Sequence, residues 1–107
     1  MIWAWVYEQL VQETICLPLG MSNTVIRLSD EQKKRLSPGH DAHGAVVPGW
    51  RFDVLAPAGG FRSNADDVLK FLAANLAGAD SKISKALHES HKTRFVSWDG
   101  AIGLGWH

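Results

Sequence analysis

Two histidine pairs, His40/His43 and His88/His91, repeat a three-residue spacing. On a helix, side chains three apart share a face, so two imidazoles at that spacing can reach one metal ion. His88 and His91 are therefore candidate metal ligands, and His40, Asp41 and His43 could add donors from a turn. The competing reading makes them surface or helix-capping histidines. Gly59-Gly60 precedes a helical pattern, the place where backbone N–H groups can hold phosphate. It lacks the Gly-x-x-x-x-Gly-Lys pattern that makes such a loop specific. Trp3, Trp5, Trp50, Trp98 and Trp106 offer faces for stacking on a sugar or base, against the ordinary role of packing.

The elements that must position these groups centre on residues 57–72. A glycine-bearing loop, Pro57 to Gly60, runs into a helix over about 63–77. Ser63 stands at the N-cap position, with Asp66 and Asp67 placing negative charge near the positive helix end. Ala65, Val68, Leu69, Leu72, Ala73 and Leu76 form one apolar stripe at the helical period, with Asn64, Asp67, Lys70 and Asn75 opposite. Gly78 supplies a stop. Upstream, a helix over about 2–16 carries a stripe of Trp3, Val6, Tyr7, Leu10 and Val11 and ends at Pro18 and Gly20. Thr24 to Arg27 is a strand candidate. Ser29 and Gln32 make a capping box for a helix over about 29–36.

Residues 40–52 are extended and turn-rich, with Val46-Val47 a possible strand. Asp80 or Ser81 caps a helix over about 81–91, which presents Ile83, Ala86 and Leu87 on one face. Strands over about 95–98 and 101–106 are joined at Asp99-Gly100, a type I′ hairpin signal. Ile102, Leu104 and Trp106 share a face of the last strand, while Gly103 and Gly105 leave the other open to close approach. The fold class is α+β, in one domain spanning residues 1–107.

Composition narrows the partners. Eleven basic side chains balance eleven acidic ones, so there is no footprint for nucleic acid or an anionic membrane. The single cysteine, Cys16, excludes an intramolecular disulfide and reads as a buried thiol. The apolar start, Met1 to Val6, is too short for a signal h-region and has no basic n-region, so the sequence as written is expected in the cytoplasm. No cofactor is expected.

Tyr7 to Val11, then Ile15 to Thr24, then Pro38-Gly39-His40-Asp41, Pro57 to Ser63, Asp66-Asp67 with Phe71-Leu72, and Ile102 to Trp106 form an ordered series. That series resembles the middle of the serine β-lactamase-like superfamily: class C β-lactamases, penicillin-binding D-alanyl-D-alanine carboxypeptidases and related esterases. The resemblance covers nearly all of the chain from Tyr7 onward. It implies a helical-lobe segment of a longer serine hydrolase, one that attacks a lactam, peptide or ester carbonyl and hydrolyses the acyl-enzyme.

Such enzymes use Ser-x-x-Lys, Tyr-x-Asn and a late Lys-Thr-Gly or His-x-Gly strand, because a serine hydroxyl is a weak nucleophile until a neighbouring base takes its proton. Three residues after Ser22, Ser29, Ser37, Ser63, Ser81, Ser84, Ser90 and Ser97 stand Val25, Gln32, His40, Asp66, Ser84, Leu87, Thr93 and Gly100. None is lysine. The only tyrosine, Tyr7, is followed two positions later by Gln9, and Lys92-Thr93 runs into Arg94.

The resemblance thus implies a segment lying between the Tyr-x-Asn region and the final catalytic strand, inactive alone and without catalytic residues of its own. By position, Ala58, Gly59 and Gly60 would border the parent's substrate cleft. Met1 to Val6 departs from the family pattern, as a truncated or shifted reading frame would explain. Two other readings stand beside this one: a self-associating α+β module, homo-oligomeric through strand 101–106, and a small metal-binding protein using His88 and His91.

Overall fold

The computed structural model describes residues 2–106. The side chains of residues 2–4 lie outside the description, and with them the expected packing of Trp3. Helix α1 (Ile2–Val11) continues through a π-helical stretch (Gln12–Cys16) into a last α-helical turn, α2 (Leu17–Leu19). Pro18 was expected to stop the helix, yet it lies inside α2. The stop comes at Gly20, whose φ of 69° and ψ of 29° are left-handed. There the N–H groups of Gly20 and Met21 return to the carbonyls of Leu17 (3.1 Å) and Cys16 (2.8 Å), closing the helix end.

Only part of the expected stripe on α1 faces inward: Tyr7 and Val11 are half-buried, with the Tyr7 ring 5.7 Å from that of Phe61. Val6 and Leu10 are exposed, while Glu8 is buried. Its Oε1 accepts from the N–H groups of Ile26 (2.6 Å) and Arg27 (3.0 Å), so a carboxylate satisfies the backbone that turns beneath the helix. For the same reason Thr24 to Arg27 is not a strand. Its ladder is a single bridge, Val25 to Arg62.

Helix α3 (Asp30–Lys34) has the expected capping box: Gln32 N–H donates to Ser29 Oγ, and Ser29 N–H to Gln32 Oε1. Strands β1 (Gly39–His40) and β2 (Val46–Val47) pair antiparallel. The Asp41 carboxylate between them accepts from the N–H groups of His43 and Ala45. A 3₁₀ turn (Asp53–Ala58), not anticipated from sequence, packs against α1.

Helices α4 (Ala65–Leu76) and α5 (Lys82–His91) pack together. Ser81 caps α5 in a reciprocal box with Ser84. Gly78 does not form a left-handed stop; α4 ends because Ala77 turns extended.

Strands β3 (Phe95–Ser97) and β4 (Gly100–Ile102) form the hairpin, with Ser97 opposite Gly100. The loop is therefore Trp98-Asp99, not Asp99-Gly100. A type I′ turn needs positive φ at both central residues. Here neither Trp98 nor Asp99 has one, and Gly100, at φ 150°, takes the reversal. The last strand also stops at Ile102, short of 106. Gly103 and Leu104 fold back onto the end of α5, with Leu104 N–H donating to Ser90 O at 2.8 Å. The close approach expected at Gly103 is real, since a Cβ there would lie 2.6 Å from Ser90 O.

The apolar interior is small. Cys16, Met21, Ala56 and Leu87 are the buried apolar residues among those described. The accessible surface is 8252 Å², where a compact chain of 11.8 kDa exposes about 5,900 Å². The radius of gyration agrees, at 16.1 Å against about 13 Å for a compact chain of this length.

Candidate functional site

A buried polar cluster sits where α4 begins. Asn64, not Ser63, is the N-cap, its Oδ1 accepting from Asp67 N–H at 2.9 Å. That frees Ser63 to pair with Thr24, hydroxyl to hydroxyl, at 2.7 Å. The Asp67 side chain turns into the protein and is 1% exposed. Its Oδ2 accepts from the Asn23 N–H (2.7 Å) and the Thr24 hydroxyl (2.9 Å). Lys70 Nζ stands 3.6 Å from Oδ1 and donates to Gly20 O at 2.7 Å. A buried carboxylate is costly unless such partners surround it. Burial pushes the Cys16 thiol up from its ordinary value, and the Asp67 charge pushes it further. Cys16 is thus held as a neutral thiol, not a nucleophile.

Thr24 has one hydroxyl proton, and it goes to Asp67. Ser63 must then be the donor in the Thr24–Ser63 bond. Its proton points at a threonine, which is no base, and not at a lysine or histidine. Among the described residues, no serine hydroxyl is hydrogen-bonded to a lysine, histidine or tyrosine. Ser63 opens onto a cavity of about 370 Å³, also lined by Asn23, Gln32, Arg35, Arg62 and Asn64. Arg35 donates to Asn23 Oδ1, and Arg62 to the carbonyls of Ile26 and Trp50. A second opening, about 750 Å³, lies between residues 13–18 and α5 and is mostly apolar, with Ile15, Pro18, Ile83, Ala86 and Leu87 on its walls.

Ala58, Gly59 and Gly60 line neither opening. Ala58 and Gly59 are exposed, and Gly59 holds a φ of 156°. Gly60 is buried, and a Cβ there would sit 2.9 Å from Ala56 Cα. Packing of the 3₁₀ turn accounts for that glycine without a ligand.

The imidazoles of His88 and His91 lie near each other, ring centroids 6.1 Å apart, but each is engaged. His88 Nε2 bonds Ala77 O (2.6 Å) and His91 Nε2 bonds Asn75 Oδ1 (2.8 Å). Both join the end of α5 to the end of α4. Trp106 stacks edge-on against His91 at 4.6 Å and donates to Ser90 Oγ. No group of three or more metal-ligating side chains converges among the described residues.

The sequence reading placed Asp67 at the helix mouth as a dipole partner and missed its clamp on Asn23 and Thr24. Helical periodicity gave no signal for it, because it places Asp67 opposite the apolar stripe, on the face expected to meet solvent.

The pattern of the family described as Beta-lactamase matches residues 6–107. The chain belongs to the beta-lactamase family. A beta-lactamase from Psychrobacter immobilis is 29% identical over 105 residues, covering 94% of this chain and 25% of that protein. Among solved structures, a class C beta-lactamase from Rhodobacter sphaeroides superposes with a TM-score of 0.75 at 26% identity, over 92% of this chain and 29% of that one. A beta-lactamase/D-alanine carboxypeptidase from Pseudomonas syringae shares the fold, with a TM-score of 0.80 at 21% identity over 92% of this chain and 28% of that one. The chain spans about a quarter of the length of the curated relatives it matches. It is a family segment of mixed α and β structure, with the hairpin in place.

Proposed function

We propose that these 107 residues form a helical-lobe portion of a β-lactamase-like serine hydrolase and are catalytically inactive by themselves. The parent activity is acyl transfer from a lactam, peptide or ester to serine, followed by hydrolysis. One observation carries the inactivity: every described serine hydroxyl lacks a basic partner, and Ser63, which with Ser37 faces the first cavity, has its proton committed to Thr24. Without a base, the hydroxyl stays a weak nucleophile. In the parent, the exposed pair Ala58 and Gly59 borders the substrate cleft, with Gly60 behind them as a packing glycine.

Turnover tests this reading. A chromogenic cephalosporin and a p-nitrophenyl ester should remain intact with the isolated chain. Hydrolysis of either, abolished by a serine-directed acylating reagent, would overturn it. The same reading holds that the isolated chain self-associates, since so much apolar surface is left uncovered.

A further inference from the structure

We propose that the cavity between α3 and the start of α4 binds a divalent oxyanion of the phosphate class. Its walls come from residues 23–37 and 62–64, so it is built within this chain. Arg35 and Arg62 both line it, and no Asp or Glu does. Among the described residues, neither guanidinium pairs with a carboxylate. The acidic residues of α3, Asp30 and Glu31, pair with Lys33 and Lys34 instead. Two positive charges therefore border one concave space without a counter-charge, an arrangement that favours entry of an anion.

Neutral acceptors hold both arginines in place. Arg62 donates to Ile26 O (3.1 Å) and Trp50 O (3.3 Å), and its backbone exchanges two bonds with Val25, at 2.8 and 2.9 Å. Arg35 donates to Asn23 Oδ1 at 3.0 Å, and the Asn23 N–H is itself fixed by the buried Asp67. A guanidinium carries more N–H donors than these bonds use, in a planar fork that matches phosphate oxygens. Side chains already ordered lose less freedom when a ligand arrives. Gln32 Oε1 is taken by the Ser29 N–H, which leaves the amide N–H groups of Gln32 as donors, and the Ser37 hydroxyl lines the same cavity. A divalent anion matches the two guanidinium charges, whereas a monocarboxylate compensates only one. The cavity, about 370 Å³ against a share of ~30 Å³ for one water, holds such an ion with part of its hydration.

This site is independent of the acyl-transfer reading, and either can fail alone. Titration of the full chain with inorganic phosphate, at slightly alkaline pH and constant ionic strength, tests it by the NMR shifts of amide and guanidinium N–H groups. Saturable shifts should appear at Arg35, Ser37, Arg62 and Ser63. Chloride should not reproduce them, and acetate should bind more weakly. Arg35→Gln, at an exposed position, should weaken phosphate binding about tenfold, the loss of one charge-assisted contact. Lys85→Gln removes a positive charge from α5, away from the cavity, and should bind phosphate as the wild type does. Phenyl phosphate separates the sources: binding at least as tight as that of phosphate assigns the site to a phosphomonoester, and weaker binding assigns it to the free ion. No saturation by roughly 10 mM phosphate overturns the proposal, as do equal shifts with chloride, equal affinity for acetate, wild-type affinity in Arg35→Gln, or equal weakening by Lys85→Gln. If Arg35→Gln unfolds, Arg35→Lys decides, since it keeps the charge and loses the fork: weaker binding supports the site, and unchanged binding overturns it.

Discussion

The backbone N–H of Asn23 donates to the buried carboxylate of Asp67 at 2.7 Å, across 44 positions of sequence. This bond, with the Thr24 hydroxyl on the same oxygen, ties the loop after α2 to the first turn of α4. It does so where most small domains would use apolar side chains.

Replacing Asp67 by Ala should therefore be the most damaging single change at this site. It strands the Asn23 N–H and the Thr24 hydroxyl in a buried space and removes the partner of Lys70. A loss of about 3 kcal/mol is expected. Asp67→Asn keeps the shape and should cost less than the alanine variant. Urea midpoints measure both, and an unchanged midpoint for Asp67→Ala would contradict the clamp.

Gly103→Ala should destabilise the hairpin's return onto α5, because its Cβ would lie 2.6 Å from Ser90 O, a backbone atom that cannot swing aside. A loss of about 2 kcal/mol is expected. Gly44→Ala is the control: φ is 81° but nothing lies within 4 Å, so strain alone applies, about 1 kcal/mol. Thermal melts followed by tryptophan fluorescence should rank Gly103→Ala as the worse. Equal shifts would contradict the close approach.

Lys92 and then Arg94, each hydrogen-bonded to Glu89, hold its carboxyl below the usual glutamate value. The folded value is lower than the unfolded one, so this contribution is present above the unfolded value and is lost as pH falls through the folded value. The carboxyl lies at the surface, with the side chain about half exposed, so the effect should be small and screened by salt. Melting temperatures of the wild type and Glu89→Gln should differ slightly at neutral pH and converge in acid. A gap that widens in acid would contradict the assignment.

Cys16 gives the opposite sign. Its thiol is raised by burial and by Asp67, so the stabilisation it carries is present below the ordinary thiol value and fades as pH rises through the folded one. Native chain should react slowly with a thiol-specific disulfide reagent at neutral pH, and fully once unfolded in denaturant. Fast native labelling would contradict the burial.

Much of the fold was legible because local chemistry wrote it. The boxes Ser29/Gln32 and Ser81/Ser84 cap α3 and α5 as their spacing requires. Family membership was legible in an ordered run of short pieces. What periodicity got wrong was direction. It turned the α4 stripe and the Val6 and Leu10 part of the α1 stripe inward, whereas these are exposed and Glu8 and Asp67 face the protein and satisfy backbone N–H groups. A hydrophobic stripe marks a face to be covered, and it does not say by what. Ser63 and Asn64 were likewise indistinguishable as caps until Thr24 claimed the serine. The turn at Trp98-Asp99 escaped because glycine serves as well after a turn as within it.

The central claim is that no serine in these residues is activated for acyl transfer. Intact-protein mass spectrometry after incubation with excess penicillin tests it most directly. The account predicts an unshifted mass. A stoichiometric penicilloyl adduct that disappears in Ser63→Ala would contradict it.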